Sequence, residues 1–224
     1  MRYPRPTQYK LGTLGAVALG LLGLGLLLWG SWIPIKAQLA QVLLERAWQQ
    51  SRTDGKPHKA WPWADSWPVA RLTIPSLDLH TIILKEAGGE GLAFGPVLLA
   101  QGAPLGTAGT SIIAAHRDTH FQPLQHLQTG ALVEVEQMTG PTLTYRIDGS
   151  KIVRWDQSGL QKDSQSPLLV LSSCWPFNGM VGGPLRYLAF ASPTEATARR
   201  LANATSTVIQ HQLAAFTEAA SQRP

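Results

Sequence analysis

The stretch 167-PLLVLSSCWPFNGMVGGPLRYLAFA-191 holds the chain's single cysteine, Cys174, and, twelve residues further on, an arginine set among apolar neighbours, Arg186. Leu168 to Leu171 is a short continuous apolar run, which predicts a core strand with Ser172, Ser173 and Cys174 at its end, where a loop begins. Turn formers between Trp175 and Gly183 make that loop, and Leu185 to Ala191 resumes as a second apolar strand interrupted by Arg186. A guanidinium stays ionised at any ordinary pH, so one placed near the start of such a strand is either paired to a carboxylate or turned toward a ligand. Outward from these two strands the chain repeats short apolar segments at Val69 to Pro75, His80 to Lys85, Ser111 to Ala115, Leu132 to Val135, Thr142 to Ile147 and Ser150 to Trp155. Gly88 to Pro96, rich in glycine, reads as a turn or short helix. Many short strands at turn-punctuated spacing predict a mainly β domain, a barrel or a sandwich.

Ahead of that domain, Leu11 to Ile35 runs 25 residues without a charged side chain. Roughly 20 apolar residues cross a bilayer, whereas a cleavable signal has an apolar region of about 7 to 15. The stretch is therefore expected to be a transmembrane signal anchor, retained because QLAQ around Ala40 offers no small-x-small cleavage site. Arg2, Arg5 and Lys10 precede it and Lys36 alone follows closely, so the amino-terminal tail is expected in the cytoplasm and the rest outside the cell membrane, in the periplasm or its equivalent. On that reading Trp29 and Trp32 sit at the outer interface, and Gly12, Ala16 and Gly20 form a small-xxx-small row. Gln38 to Gln50 continues as a helical stalk with Leu39, Val42, Leu43 and Ala47 on one side and Glu45 and Arg46 exposed. The prolines of Ser51 to Pro68 deny that segment a regular helix. Its Trp61, Trp63 and Trp67 are expected to pin it against the domain by packing, with a substrate or partner contact as the alternative. After Pro193 the run to Phe216 has helical composition, with Leu201, Ala202, Val208, Ile209, Leu213 and Phe216 roughly on one stripe.

Composition narrows the function. At 224 residues and 44% apolar content the chain can bury one good core besides an anchor. Its net charge of +5 is scattered rather than gathered in a basic stripe, so no nucleic-acid partner is expected. A lone cysteine excludes an intrachain disulfide and a cysteine-cluster zinc site.

The strand Ser111 to Ala115 delivers HRDTHF, which packs His116, Arg117, Asp118, His120 and Phe121 into six residues. A thiolate, an imidazole and a guanidinium able to donate to a developing oxyanion are the parts of an acyl-transfer site. Each also has a plainer reading. Cys174 could be a small core hydrophobe, His116 a hydrogen-bonded strand-end histidine, and Arg186 one half of an ion pair with Asp118, Asp156 or Asp163. His120 could serve as the base in place of His116, and the two histidines could hold a metal, although no carboxylate-rich second motif supports that.

In combination these motifs resemble the sortase family of membrane-anchored cysteine transpeptidases, over about Val69 to Ala191. Val170-Leu171-Ser172-Ser173-Cys174 stands where the family has TLxTC, with Val and Ser in place of its threonines. HRDTHF matches the histidine motif, and Leu185-Arg186-Tyr187 the arginine motif. CWPF followed by PLRY, with WPWADSWPVARL upstream, looks most like the subgroup found in Gram-negative bacteria. Asp65-Ser66-Trp67 is faintly similar to the Asp-Pro-aromatic lid of pilus-building sortases. The resemblance implies an eight-stranded sortase-type β-barrel, with an amino-terminal transmembrane helix and a carboxyl-terminal helix attached. It implies catalytic roles for His116, Cys174 and Arg186, with Asp118, His120, Ser172, Ser173 and Trp175 binding substrate or supporting the site. The expected segments are a basic tail at 1–10, an anchor at 11–35, a stalk with the Trp-rich segment at 36–68, the sortase domain at 69–192 and a helical extension at 193–224. The implied activity is cleavage of an LPXTG-like sorting signal near a substrate protein's carboxyl end, through a thioacyl-enzyme, and transfer of the acyl group to an amine acceptor. No cofactor and no metal are implied. The alternatives are an exported cysteine protease hydrolysing the same bond and a non-catalytic envelope β-barrel that binds partners.

Overall fold

Alternation builds the sheet. In the computed structural model β1 (Pro68–Ile74) buries Ala70, Leu72 and Ile74 between half-buried Val69, Arg71 and Thr73, the period of two that a strand imposes. The structure describes residues 6–85, 90–160, 164–179, 181–204, 206–207 and 210, with the backbone alone at 6–15, 18, 27–38 and 90. Among the described residues eight strands close into a barrel in the order β1-β2-β3-β4-β7-β8-β6-β5, which leaves no unpaired sheet edge. The remaining strands are β2 (Leu79–Lys85), β3 (Val97–Leu98), β4 (Gly109–Ala114), β5 (Leu132–Gln137), β6 (Leu143–Arg154), β7 (Pro167–Cys174) and β8 (Leu185–Pro193). β2 with β3 and β4 with β7 are parallel pairs, and the other neighbours are antiparallel. The interior is filled by Leu72, Ile74, Ile83, Ile113, Phe121, Leu124, Leu143, Tyr145, Leu169, Leu171 and their neighbours.

Two local expectations change. Thr142 to Ile147 and Ser150 to Trp155, read as separate strands, are one strand, β6. The pairing with β8 steps from Ile147↔Ala191 to Gly149↔Phe190, so a bulge absorbs the extra residue at Asp148-Gly149 and the ladder continues. β3 lay outside the expected strands because two residues carry no periodicity; Glu90–Ala93 before it forms a 3-10 turn, and Gly88 and Gly89 lie outside the described residues.

The chain divides into two units, Met1–Leu43 and Leu44–Pro224. Helix α1 (Pro6–Asp54) makes up the described part of the first and continues into the second. Among the described residues no helix is long and apolar enough to cross a membrane. The side chains of much of Leu11 to Ile35, with Gly12, Trp29 and Trp32, lie outside the description. The stalk's face is also turned from the expected one. Leu39 and Val42 are exposed, while Ala40, Leu44, Ala47, Trp48 and Ser51 are buried. The phase is set by the Trp48 ring, which joins Leu44 in a second small core with Ile82, Leu84 and Val97. Burying an indole outweighs one misplaced aliphatic. Around it Arg71 stands over the Trp48 ring at 5.8 Å and pairs with Glu45 and Glu136, and Arg52 reaches Glu136 at 3.1 Å.

The Trp-rich segment behaves differently at each tryptophan. Trp61 packs edge-on against Phe94 with ring centroids 4.9 Å apart, and the Trp67 carbonyl accepts from the Lys85 amide at 2.9 Å, extending the β1–β2 ladder. Trp63 is 83% exposed, so packing is not its role. After β8, residues 195–204 are helical. The buried Thr197 hydroxyl accepts from the Thr144 amide at 3.0 Å, and Leu201 packs on the barrel core while Ala202 is exposed. Val208, Ile209, Leu213 and Phe216 of the expected stripe lie outside the described residues.

Candidate functional site

Three adjacent strand ends form the site. β4 runs parallel to β7 in the register Ala114↔Ser172, and the ladder goes one step further, with the Ala115 amide donating to the Ser172 carbonyl at 3.1 Å. Continued by two residues, that register brings His116 level with Cys174, whose Cα partner on β8 is Arg186. Alternation puts Ala114, Ser172, Cys174, Arg186 and His116 on one face of the sheet, the outer one, because Ile113, Ala115, Leu171 and Ala189 between them belong to the core. Strand spacing of about 4.8 Å then sets the backbone of these three strand ends side by side.

Each member of the row is open to solvent in part. His116 is exposed, and Cys174, a free thiol, and Arg186 are half-buried. Arg186 donates from Nη1 to the Gly183 carbonyl at 2.8 Å and to the Leu185 carbonyl at 2.9 Å. It joins none of the ion pairs among the described residues. Of its expected carboxylate partners, Asp156 is held by Arg154 through two bonds of 3.1 Å, Asp118 is exposed and forms no such pair, and Asp163 lies outside the described residues. Among the described residues the ion-pair reading of Arg186 finds no partner. Cys174 is likewise no core hydrophobe, since it stands on the outer face.

The histidine turn is a compact unit. The Phe121 amide returns to the His116 carbonyl at 3.1 Å, and the Phe121 ring is fully buried in the core. His120 is half-buried with Nδ1 3.5 Å from the Thr81 hydroxyl. Burial, with His116 close by, lowers the pKa of the His120 imidazole from its ordinary value. No cluster of metal-ligating side chains occurs among the described residues.

The supporting residues fall on both faces. Ser172 shares the outer face with Cys174. Ser173 is buried and donates from Oγ to the Ala115 carbonyl at 3.1 Å, so its hydroxyl ties β7 to the residue before His116. Trp175 is turned away from the thiol, stacked on Tyr187 at 6.4 Å and edge-on to Phe177 at 5.7 Å, where it closes the core. The outer face continues down the strands into a cleft of about 450 Å³, with Thr110, Leu168, Val170 and Phe190 on its floor and Leu160 and Gln165 on its wall. Sequence reasoning passed over Arg117. Its side chain is buried and donates to the Gly179 and Val181 carbonyls in the β7–β8 loop. The signal was present, because alternation carried two residues past Ala115 turns position 117 inward.

A sortase-domain model matches residues 72–194, more than half of the chain. Among solved structures the chain is similar to a Clostridium perfringens sortase D5 transpeptidase (17% identity, TM-score 0.57, covering 70% of this chain and 99% of that one). It is similar also to sortase C-1 from Actinomyces oris (25% identity, TM-score 0.51, 57% and 74%). Against sortase A from Corynebacterium diphtheriae the identity is 23% and the TM-score 0.52; 59% of this chain is covered, and it spans only 63% of that chain's length. No curated protein matches the sequence.

Proposed function

The chain belongs to the sortase family, and from that premise we propose that it is a cysteine transpeptidase acting on an LPXTG-like sorting signal. The observation that carries the reading is the row His116, Cys174, Arg186 on one outer face, with the arginine free of any carboxylate among the described residues. The substrate peptide lies along the outer face of β4, β7 and β8, entering over the cleft floored by Leu168, Val170 and Phe190. The Cys174 thiolate attacks the scissile carbonyl, forming a C–S bond, and Arg186 donates to the oxyanion. As that intermediate collapses the C–N bond breaks, and the His116 imidazolium gives its proton to the departing amine. An acceptor amine then attacks the thioester, neutral His116 takes its proton, and the thiolate is released. Acid and base roles fall to His116 rather than His120 because His116 is exposed in the register of Cys174, while His120 is half-buried against Thr81. Ser172 shares the outer face with Cys174, Asp118 is exposed in the histidine turn and available to the substrate, and Ser173 and Trp175 support from within.

The anchor belongs to the same proposal. A charge-free stretch from Leu11 to Ile35 within one continuous helix, behind a basic tail, supports a single membrane crossing with the barrel outside the cytoplasm. Acyl exchange without ATP suits that compartment. The CWPF and PLRY motifs support membership of the subgroup found in Gram-negative bacteria. The test is to incubate the protein with LPXTG-type peptides and read the fragment joined to Cys174 by mass spectrometry, then to add an amine. An acyl-enzyme that passes its fragment to the amine supports transpeptidation. Release to water alone assigns hydrolysis, and an unmodified, unreactive Cys174 removes the enzyme reading.

A further inference from the structure

Arg117 is 8% exposed, yet it joins none of the ion pairs among the described residues. Taking a guanidinium out of water is costly, so the groups that receive its N–H donors matter to its position. Nη2 donates to the Gly179 carbonyl at 2.6 Å and to the Val181 carbonyl at 2.9 Å, while Nη1 is buried with no hydrogen-bond partner among the described residues. Both acceptors lie in the loop that joins Cys174 to Arg186. A Cβ at Gly179 would stand 2.8 Å from Nη1, 3.1 Å from Cζ and 3.2 Å from Nη2, so glycine makes room for the guanidinium itself. The same loop presents the Gly183 carbonyl to Arg186 Nη1 at 2.8 Å. Two arginines therefore grip one loop by its carbonyls, Arg117 from the histidine turn and Arg186 from the thiol's row. Neither Gly179 nor Val181 belongs to the barrel core.

We propose that Arg117 is a positioning residue, which locks the β7–β8 loop to the histidine turn and through Gly183 sets the guanidinium of Arg186 beside Cys174. The proposal rests on the reading of Arg186 as the oxyanion donor. Both bonds leave from one nitrogen, Nη2, so a lysine ammonium with its three donors can replace part of the grip.

The test uses the full chain in detergent micelles, as wild type, Arg117→Met, Arg117→Lys, Gly179→Ala and the double variant Arg117→Met with Gly179→Ala. Methionine keeps the bulk and removes the buried charge, and Gly179→Ala displaces the guanidinium without touching Arg117, so the two reach the latch by independent routes. Amide exchange over 176–184 is expected to speed up in both while the protein stays folded with a melting temperature lower by about 2 to 8 °C, and alkylation of Cys174 by iodoacetamide is expected to be unchanged. Turnover of an internally quenched LPETG peptide is expected to fall in kcat by about 10²-fold, the cost of roughly an ångström of misplacement, with KM moving less. Arg117→Lys recovers part of that loss, and the double variant is no worse than either single one, because both break the same contact. Unchanged loop exchange in both single variants, or losses that simply add in the double, overturns the latch. If wild type turns over no peptide, the proposed activity fails, and the exchange data still decide the latch.

Discussion

Replacing Arg186 separates a catalytic guanidinium from a structural one, and the structure sets the size of each effect. Its bonds to Gly183 and Leu185 leave from one nitrogen and end on carbonyls three residues and one residue before it in the chain. A hydrogen bond from a charged group contributes about 1.5 to 3 kcal/mol when buried, and for this half-buried side chain the lower end applies. Arg186→Ala is therefore expected to cost on the order of 1 to 2 kcal/mol. Domains of roughly 150 to 250 residues lose about 2 to 4 °C of melting temperature per kcal/mol, which gives a fall of about 2 to 8 °C. Breaking a buried ion pair would instead cost about 3 to 5 kcal/mol. Losing one oxyanion donor removes about 2.7 to 4 kcal/mol of transition-state stabilisation, roughly 10² to 10³ in rate. Arg186→Lys keeps a cation but not the fork, so it is expected to restore the melt and little of the activity. The assay is thermal melting beside peptide turnover for both variants. Near-normal turnover by a folded Arg186→Ala protein would refute the assignment and reduce the site to Cys174 and His116.

Further outcomes follow from the packing and the ionisable groups. Trp48→Ala removes a fully buried indole and is expected to cost about 3 to 5 kcal/mol. Trp63→Ala, at an exposed ring, is expected to leave the melt unmoved, and equal shifts for the two would contradict the packing described. His120 has a folded-state pKa pushed below its usual value by burial and by nearby His116. The unfolded chain therefore takes up that proton first as pH falls below about 6.5, and stability present above that pH is lost toward the lowered value. His120→Gln is expected to flatten this acid-side decline, and an identical slope of melting temperature against pH in both proteins counts against it. A reporter active only outside the cytoplasm, fused after Gln50, is expected to be active; a silent one, with a cytoplasmic reporter active at the same point, reverses the proposed orientation.

Periodicity and side-chain chemistry were legible in order along the chain. Leu168 to Leu171 announced a strand and put Cys174 at its end, where β7 stops; Arg186 stood out as a charge in an apolar strand; HRDTHF announced a cluster of ionisable groups. These signals are local, because burial of one face writes its period of two into a few consecutive residues. Neighbourhood across the sheet is not local. That β4 lies parallel to β7 in the register Ala114↔Ser172, with β5 and β6 closing the barrel on its far side, brought His116 level with Cys174 and turned Arg117 inward to the β7–β8 loop. A slip of one residue would have exchanged those two side chains between faces. The turn of the stalk helix onto Trp48, the exposure of Trp63 and the carbonyl partners of Arg186 were likewise decided by tertiary packing. Each depends on which surface the rest of the chain supplies, and no window of sequence contains that surface.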